Sequence, residues 1–248
     1  MSTASRIAVV TGASAGIGAA TVEALHDVGF DVHGGARRMD RLTPVMTAAQ
    51  GHAHPLDVAD PASIETFVEA LPPTVDVLVN NAGFGLGLER VDEAVDDHWE
   101  AMYRTNVLGV LRMTRALLPR LRRAENVAHI VNVGSIAGFE TYPGGAGYTA
   151  SKHALRALTR TLRLELLGEP IRVTDVAPGM VETEFSLVRF AGDQERADSV
   201  YQGMEPLLAE DIADCIVWAA TRPAHVNIDE IVVRPRDQAT ASAVHRRS

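Results

Sequence analysis

The strongest constraint on how this chain can fold lies near its start. An apolar β-branched run at 7–11 leads at once into Gly12-Ala13-Ser14-Ala15-Gly16-Ile17-Gly18 and then into a helical pattern. A strand that leaves through glycines into a helix brings backbone amides and a helix N-terminus to one point, where unpaired N–H groups and the helix dipole favour a pyrophosphate. The spacing differs from the generic G-x-G-x-x-G fingerprint, so the turn by itself is equally compatible with a tight connection.

Short β-branched runs recur at 30–36, 75–80, 129–133 and 171–177, with helical patterns between most of them. That alternation predicts a parallel sheet. Several runs are apolar on successive residues, as expected when helices cover both faces. The expected fold class is α/β: a single-domain Rossmann-type doubly wound parallel sheet with helices on both faces, occupying 1–238 of the 248 residues. Residues 182–206 interrupt the strand-helix rhythm, carry Gly192 and Gly203, and read as a substrate lid of short helices. Residues 239–248 read as a flexible tail of small residues, and its His245, Arg246 and Arg247 have no evident role.

Trp99, Met102, Tyr103, Asn106, Val107, Val110, Leu111, Thr114, Leu117, Leu118 and Leu121 recur at helical spacing and predict one long packing helix. Asn106, a weak helix former in its middle, marks a local irregularity or a buried hydrogen bond. The cluster Arg112, Arg115, Arg120, Arg122 and Arg123 reads as a solvated face or subunit contact in preference to a membrane-binding patch.

The net charge of -9 argues against a nucleic-acid partner, which needs clustered cations in excess of nearby acids. No apolar stretch is long enough to span a membrane. The polar start from Met1 to Arg6, and the glycines that cut the apolar run after it, leave no legible export signal. Cys215 is the lone cysteine; it can form no intramolecular disulfide, has no companion ligands at zinc spacing, and reads as a small buried apolar residue. The expectation is a cytoplasmic protein without a metal, a nucleic-acid partner or a membrane.

At the end of the second predicted strand stands Gly35-Ala36-Arg37-Arg38. No carboxylate occupies the place where an NAD-binding fold commonly holds the ribose hydroxyls. Arg37 and Arg38 can instead form fork-shaped, charge-assisted hydrogen bonds to an adenosine 2′-phosphate, which points to NADP(H); an exposed basic turn is the plainer alternative.

Four residues could manage a proton beside a nicotinamide: Asn106, Ser135, Tyr148 and Lys152. Tyr148 and Lys152 are four residues apart and share a helix face. A tyrosine ordinarily has a pKa of about 10, and a nearby ammonium together with an oxidised nicotinamide would lower it toward neutrality. Ser135 follows the strand at 129–133, at the sheet edge where open α/β folds collect ligands. Its surroundings, Gly134-Ser135-Ile136-Ala137-Gly138, lack the G-x-S-x-G elbow of a hydrolase nucleophile.

Taken together, the turn from Thr11 to Gly18, Asn80-Asn81-Ala82-Gly83, Asn106, Ser135, Tyr148-x-x-x-Lys152 and Pro178-Gly179 resemble the short-chain dehydrogenase/reductase family over most of the chain. The resemblance implies that Tyr148 exchanges the proton, Ser135 orients the substrate oxygen, Lys152 binds the nicotinamide ribose, and Asn106 supports a relay water. It places Gly12, Ser14, Gly16, Ile17 and Gly18 at the pyrophosphate, and Asp57 and Val58 near the adenine. Asn80, Ala82 and Gly83 fall along the coenzyme, with Asn80 beside the adenosine ribose and the sheet. Pro178, Gly179, Val181 and Thr183 fall near the nicotinamide. It also implies a homotetramer or homodimer joined through the long helices, with the apolar stripe around Val110 as an interface.

The C-terminal third, including Glu184 to Phe190, Pro223 to Ile228, Pro235 and Gln238, is similar to the NADP-dependent serine/3-hydroxy-acid dehydrogenase branch. That similarity implies alcohol/carbonyl interconversion on a small 3-hydroxy acid or serine-like compound. The segment 139–147 would line the substrate side and holds no arginine to clamp a carboxylate; Arg189 is one candidate, a surface salt bridge its alternative. Two other readings stay open: a reductase of bulkier ketones or aldehydes of secondary metabolism, and a non-catalytic NADP(H) sensor.

Overall fold

The computed structural model describes residues 5–247. The opening residues 1–4, part of the stretch read for an export signal, and Ser248 of the expected tail lie outside the described residues. Seven strands form one sheet: β1 (Arg6–Thr11), β2 (Phe30–Ala36), β3 (His52–Pro55), β4 (Val77–Asn80), β5 (Ala128–Val133), β6 (Ile171–Pro178) and β7 (Glu230–Val233). Their order is β3-β2-β1-β4-β5-β6-β7, and every neighbouring pair is parallel. All eight residues of β6 and all six of β5 are buried. Both faces are therefore covered, as the unbroken apolar runs predict.

One face carries α1 (Gly16–Asp27), α2 (Met39–Ala48) and α9 (Ala209–Ala220), packed around Val10, Val22, Leu25, Leu42, Val131 and Ile216. The other carries α3 (Pro61–Glu69), α5 (Val110–Leu121) and α6 (Ala146–Glu165), around Phe67, Leu78, Met113, Leu117, Ile130 and Leu162. The helix α3 starts where Pro61 can no longer donate, and the Asp60 carboxylate accepts from the Ala62 amide at 3.0 Å.

β3 and β7 were not legible. β3 reads His-Ala-His-Pro, with no β-branched residue, and exists because β2 offers an edge to pair with. The long helix is also more particular than its periodicity: α4 (Asp96–Tyr103) passes through a π-helical turn at Arg104–Gly109 into α5. Asn106 sits in that widened turn, an irregularity of the kind its poor helix propensity signals. Val110 is buried inside the chain, so the apolar surface is instead Trp99, Tyr103 and Leu111.

Two expectations are corrected. Cys215 on α9 is only partly buried, because its helix faces solvent on that side. The tail does not trail away: Gln238 bridges Val244, Arg246 donates to the Gln202 and Val200 carbonyls, and Arg247 pairs with Asp237 at 2.8 Å. Small residues alone supply no reason for order, but three backbone carbonyls in the segment 200–203 accept from Arg246 and from the Arg247 amide. Three of the five arginines of the basic cluster are spent on the fold: Arg112 donates to the Ala59 carbonyl, Arg120 to those of Leu71 and Pro72, and Arg122 pairs with Glu169, while Arg115 and Arg123 are exposed. No helix among the described residues is long and apolar enough to cross a membrane.

Candidate active site

Strand order reverses direction at β1, with β2 and β3 to one side and β4 to the other, so the C-terminal ends of β1 and β4 open a crevice. The glycine turn fills its floor. Thr11 Oγ1 accepts from the amides of Asn81 and Ala82, both at 3.0 Å, and Asn81 Nδ2 returns to the carbonyls of Thr11 and Gly12. This clamp explains the glycines. A side chain at Gly18 would meet the Gly12 carbonyl at 2.3 Å, and Gly12 itself has φ +67° with Ala82 Cα 2.9 Å from where a Cβ would stand. The α1 N-terminus has no side-chain cap, leaving its first amides available to an anion. Asn81, absent from the sequence-derived site, is the residue that ties the two halves together.

At the end of β2, Arg37 and Arg38 are exposed beside the turn. Arg38 pairs with Glu184 at 2.9 Å and reaches toward Ser14 Oγ at 3.5 Å, and Arg41 pairs with the other Glu184 oxygen. Arg41, one helical turn after Arg37, belongs to the same basic group and was missed because it lies inside α2. Thr183 closes the crevice from the other end of the chain, its methyl 3.2 Å from the Cβ position of Gly16. Gly179 and Met180 follow β6 and are held by Gln238 and Val233; Val181 pairs with Leu207.

Some expected contacts turn elsewhere. The Asn80 side chain points into the sheet, donating to Thr114 and to Asn132 at 2.9 Å, so it does not face a ribose. Val58 is buried against Gly109, and Asp57 accepts from the Ala59 amide to start the turn before α3. The Val58 side chain and the Asn80 amide group are used by the fold at the sheet end, while Asn80 Oδ1 has no partner and Asp57 engages the Ala59 amide through one carboxylate oxygen only.

Ser135, Tyr148 and Lys152 converge beyond β5. Ser135 opens a single 3-10 turn at Ile136–Gly138, its hydroxyl accepting from the Ala137 amide and lying near enough to Tyr148 to favour the phenolate. Lys152 donates to the Val133 carbonyl at 2.9 Å, with its Nζ 5.9 Å from the Tyr148 ring centre. Gly83 lies against both the lysine and Asn106: a Cβ there would be 3.0 Å from Asn106 Oδ1 and 3.7 Å from Lys152 Nζ. Both amide hydrogens of Asn106 are committed, to the Phe84 carbonyl and Ser151 Oγ, while Oδ1 accepts from the Phe84 amide. The buried hydrogen bond is present, and it pins the loop after β4 to α6.

Burial pushes the Tyr148 hydroxyl above its ordinary pKa of 10.0, opposed by the Ser135 hydrogen bond and then by the charge of Arg189. Lys152 acts little on it: burial pulls the lysine down to about 8, the carboxylate of Asp175 pulls back, and its ammonium is turned toward Val133.

An arginine does reach the segment 139–147, from outside it. Arg189, on α7 (Phe185–Arg189), donates to the Tyr142 hydroxyl at 2.8 Å and lies over the rings of Tyr142, Tyr148 and Phe185. Its Nε is buried with no partner, and it makes no ion pair among the described residues. The segment 182–206 does hold short helices, α7 and α8 (Gln194–Ser199), and the Gly87 amide donates to the Arg189 carbonyl, joining α7 to the loop after β4.

A parallel seven-stranded sheet with a glycine crevice and this tyrosine-lysine pair defines a dinucleotide-binding oxidoreductase. Residues 6–193 match the short chain dehydrogenase family, and the chain belongs to it. It is 58% identical over 240 residues to an uncharacterized oxidoreductase of Mycobacterium tuberculosis, covering 97% of this chain and 95% of that protein. It is 42% identical to an NADP-dependent 3-hydroxy acid dehydrogenase of Schizosaccharomyces pombe, covering 96% of each. Among solved structures it resembles the closed form of a serine dehydrogenase complexed with NADP+, with TM-score 0.91, 40% identity and coverage of 97% and 99%.

Proposed function

We propose that this chain interconverts an alcohol and its carbonyl with NADP(H), acting on a small 3-hydroxy acid or serine-like compound. The observation that carries the substrate reading is Arg189: a guanidinium stacked over Tyr148 with a buried, unpaired N–H is a ready partner for a carboxylate two carbons from the reacting centre. The crevice fits the coenzyme, because Gly12 and Gly18 leave no room for side chains where a pyrophosphate backbone contact is needed. Gly12, Ser14, Gly16, Ile17 and Gly18 would hold the pyrophosphate, and Arg37, Arg38 and Arg41 the 2′-phosphate. Lys152, Gly83 and the stretch from Pro178 to Thr183 would hold the nicotinamide half.

When bound, the coenzyme gives or takes the hydride. Tyr148 gives the proton to the carbonyl oxygen in reduction and takes it in oxidation. Ser135, beside the tyrosine, holds that oxygen in line. Asn106 keeps the loop from Gly83 to Phe84 against α6, and any part it has in a water relay falls to its backbone in the π turn. The lid 182–206 delivers Arg189 and excludes water.

The protein is further read as a cytoplasmic homotetramer or homodimer. The support is the apolar surface of α4, α5 and α6: Trp99, Tyr103 and Leu111, with Leu164 75% exposed.

The decisive experiment follows NADPH absorbance against small 3-hydroxy acids, 3-oxo acids, bulky ketones and aldehydes, with NADH in parallel. Turnover on serine-like acids supports the reading. Activity restricted to bulky carbonyls removes the substrate class and keeps the reaction, and tight NADPH binding without turnover replaces the enzyme by a sensor.

A further inference from the structure

The other edge of the sheet, away from the tyrosine, carries a second cluster of chemistry. Asp31 and His33 are two apart on β2 and share a face, and His52 on β3 is the register partner of His33. One ligand atom from each of the three lies within 4.8 Å of the others. His52 Nε2 is 3.0 Å from Asp31 Oδ1, and the rings of His33 and His52 are stacked with centres 4.4 Å apart.

The orientation of His33 is the informative detail. Its Nδ1 is 3.0 Å from Nε2 of His54, while its own Nε2 is buried and has no partner. With Nδ1–H donating to His54, the unpartnered Nε2 carries a lone pair aimed at no protein donor. A histidine whose far nitrogen is fixed by a second group and whose near nitrogen is free is arranged as metal ligands usually are. We propose that Asp31, His33 and His52 bind one divalent transition cation of the zinc class, with His54 as the outer partner that sets the tautomer.

The donor set decides the class. Two imidazoles and one carboxylate suit zinc, nickel or copper, and disfavour magnesium and calcium, which take oxygen ligands. Bonds of about 2.0–2.2 Å in tetrahedral array put ligand atoms about 3.3–3.6 Å apart, so the atoms, within 4.8 Å of one another here, close on the cation as the stacked rings of His33 and His52 turn toward it. His52 is half exposed and gives an entry path, and the fourth position is left to solvent. The sequence suggests no such site, because positions 31 and 33 meet 52 only through strand pairing. The cation would cross-link the edge strand β3 to β2, the strand that ends at Arg37 and Arg38.

The test uses the full chain after chelator treatment, titrated with Zn2+ in competition with a chromophoric chelator. One equivalent is expected, with His52→Ala and Asp31→Asn each weakening it at least tenfold and His225→Ala leaving it unchanged. Zn2+ should raise the melting temperature of the parent chain and of His225→Ala, and leave those of the other two variants unmoved. Absence of stoichiometric binding, or binding that survives both His52→Ala and Asp31→Asn, overturns the proposal.

Discussion

Arg38 Nη1 lies 2.9 Å from Glu184 Oε2, so the basic group at the end of β2 is tied to the start of α7. Arg41 holds the same carboxylate from α2, and together the two guanidinium groups keep Glu184 below the usual carboxylate range. A 2′-phosphate at Arg38 has to displace or share this partner. Glu184→Gln should therefore tighten NADPH binding and leave NADH unchanged. The pair is about half exposed, and exposed pairs contribute up to about 1 kcal/mol, so the gain is at most about fivefold. Fluorescence titration of both coenzymes checks it; equal changes for the two would remove the 2′-phosphate from this position.

Tyr148→Phe keeps the ring that packs against Phe185 and removes only the hydroxyl. Turnover should fall by about 10²–10⁴-fold while NADPH affinity stays within about twofold. Single-turnover kinetics beside equilibrium binding separates the two effects, and a variant that still turns over normally would take the proton from Tyr148.

The charge of Arg189 lowers the tyrosine hydroxyl that burial raises. Oxidation needs the phenolate, so its rate climbs with pH until the tyrosine is ionised; reduction needs the phenol and declines over the same range. Arg189→Met should move this limb to higher pH and slow oxidation near neutrality. It should also raise KM for a small 3-hydroxy acid at least tenfold while sparing an uncharged alcohol. Unmoved pH profiles together with an unmoved KM would leave Arg189 as packing alone.

His129 sits in the middle of the sheet, bonded to Thr174 Oγ1 at 2.7 Å, and burial followed by the charge of Arg172 holds its pKa at about 3. An unfolded imidazole ionises near 6.5, so below that value the unfolded chain binds the proton that the folded chain refuses. The stability from a neutral His129 is complete above pH 6.5 and is lost as pH falls toward 3. Between pH 6.5 and 5 the loss is on the order of 2 kcal/mol. Denaturant melts across this range should show it, and His129→Gln, which keeps an amide toward Thr174, should flatten the slope.

Trp99 and Tyr103 stand 38% and 46% exposed on α4, against the groove beside Ala150 of α6. Trp99→Glu combined with Tyr103→Ser should shift the sedimentation coefficient toward that of a 26.6 kDa monomer, with the circular dichroism spectrum unchanged. A parent chain that already sediments as a monomer would remove the interface.

Much of this molecule was legible because its signals are local. Five of the seven strands announce themselves as apolar β-branched runs, and the glycine turn and the tyrosine-lysine spacing lie within single elements. β3 carries weak propensity and is held by β2, so only pairing reveals it, whereas β7 (Glu-Ile-Val-Val) has strong strand formers but only four residues, too short a run to stand out. The tail was misread for a similar reason: its order comes from carbonyls that belong to residues 200–203. Val58 was expected near the adenine and Asn80 beside the adenosine ribose and the sheet; which partners their side chains take was not legible, because Thr114, Asn132 and Gly109 are all distant in the chain.

From the order of residues alone come the doubly wound sheet, the crevice at the end of β1, the basic end of β2 and the tyrosine-lysine pair proposed for acid-base chemistry, since periodicity, glycine conformation and i,i+4 spacing act over a few residues. The tertiary structure alone decides that Arg189 faces Tyr148, that Glu184 engages Arg38 and Arg41, and that His33 meets His52. Those relationships are set by strand register and by the packing of the lid, which join positions too far apart in sequence for any local rule to couple.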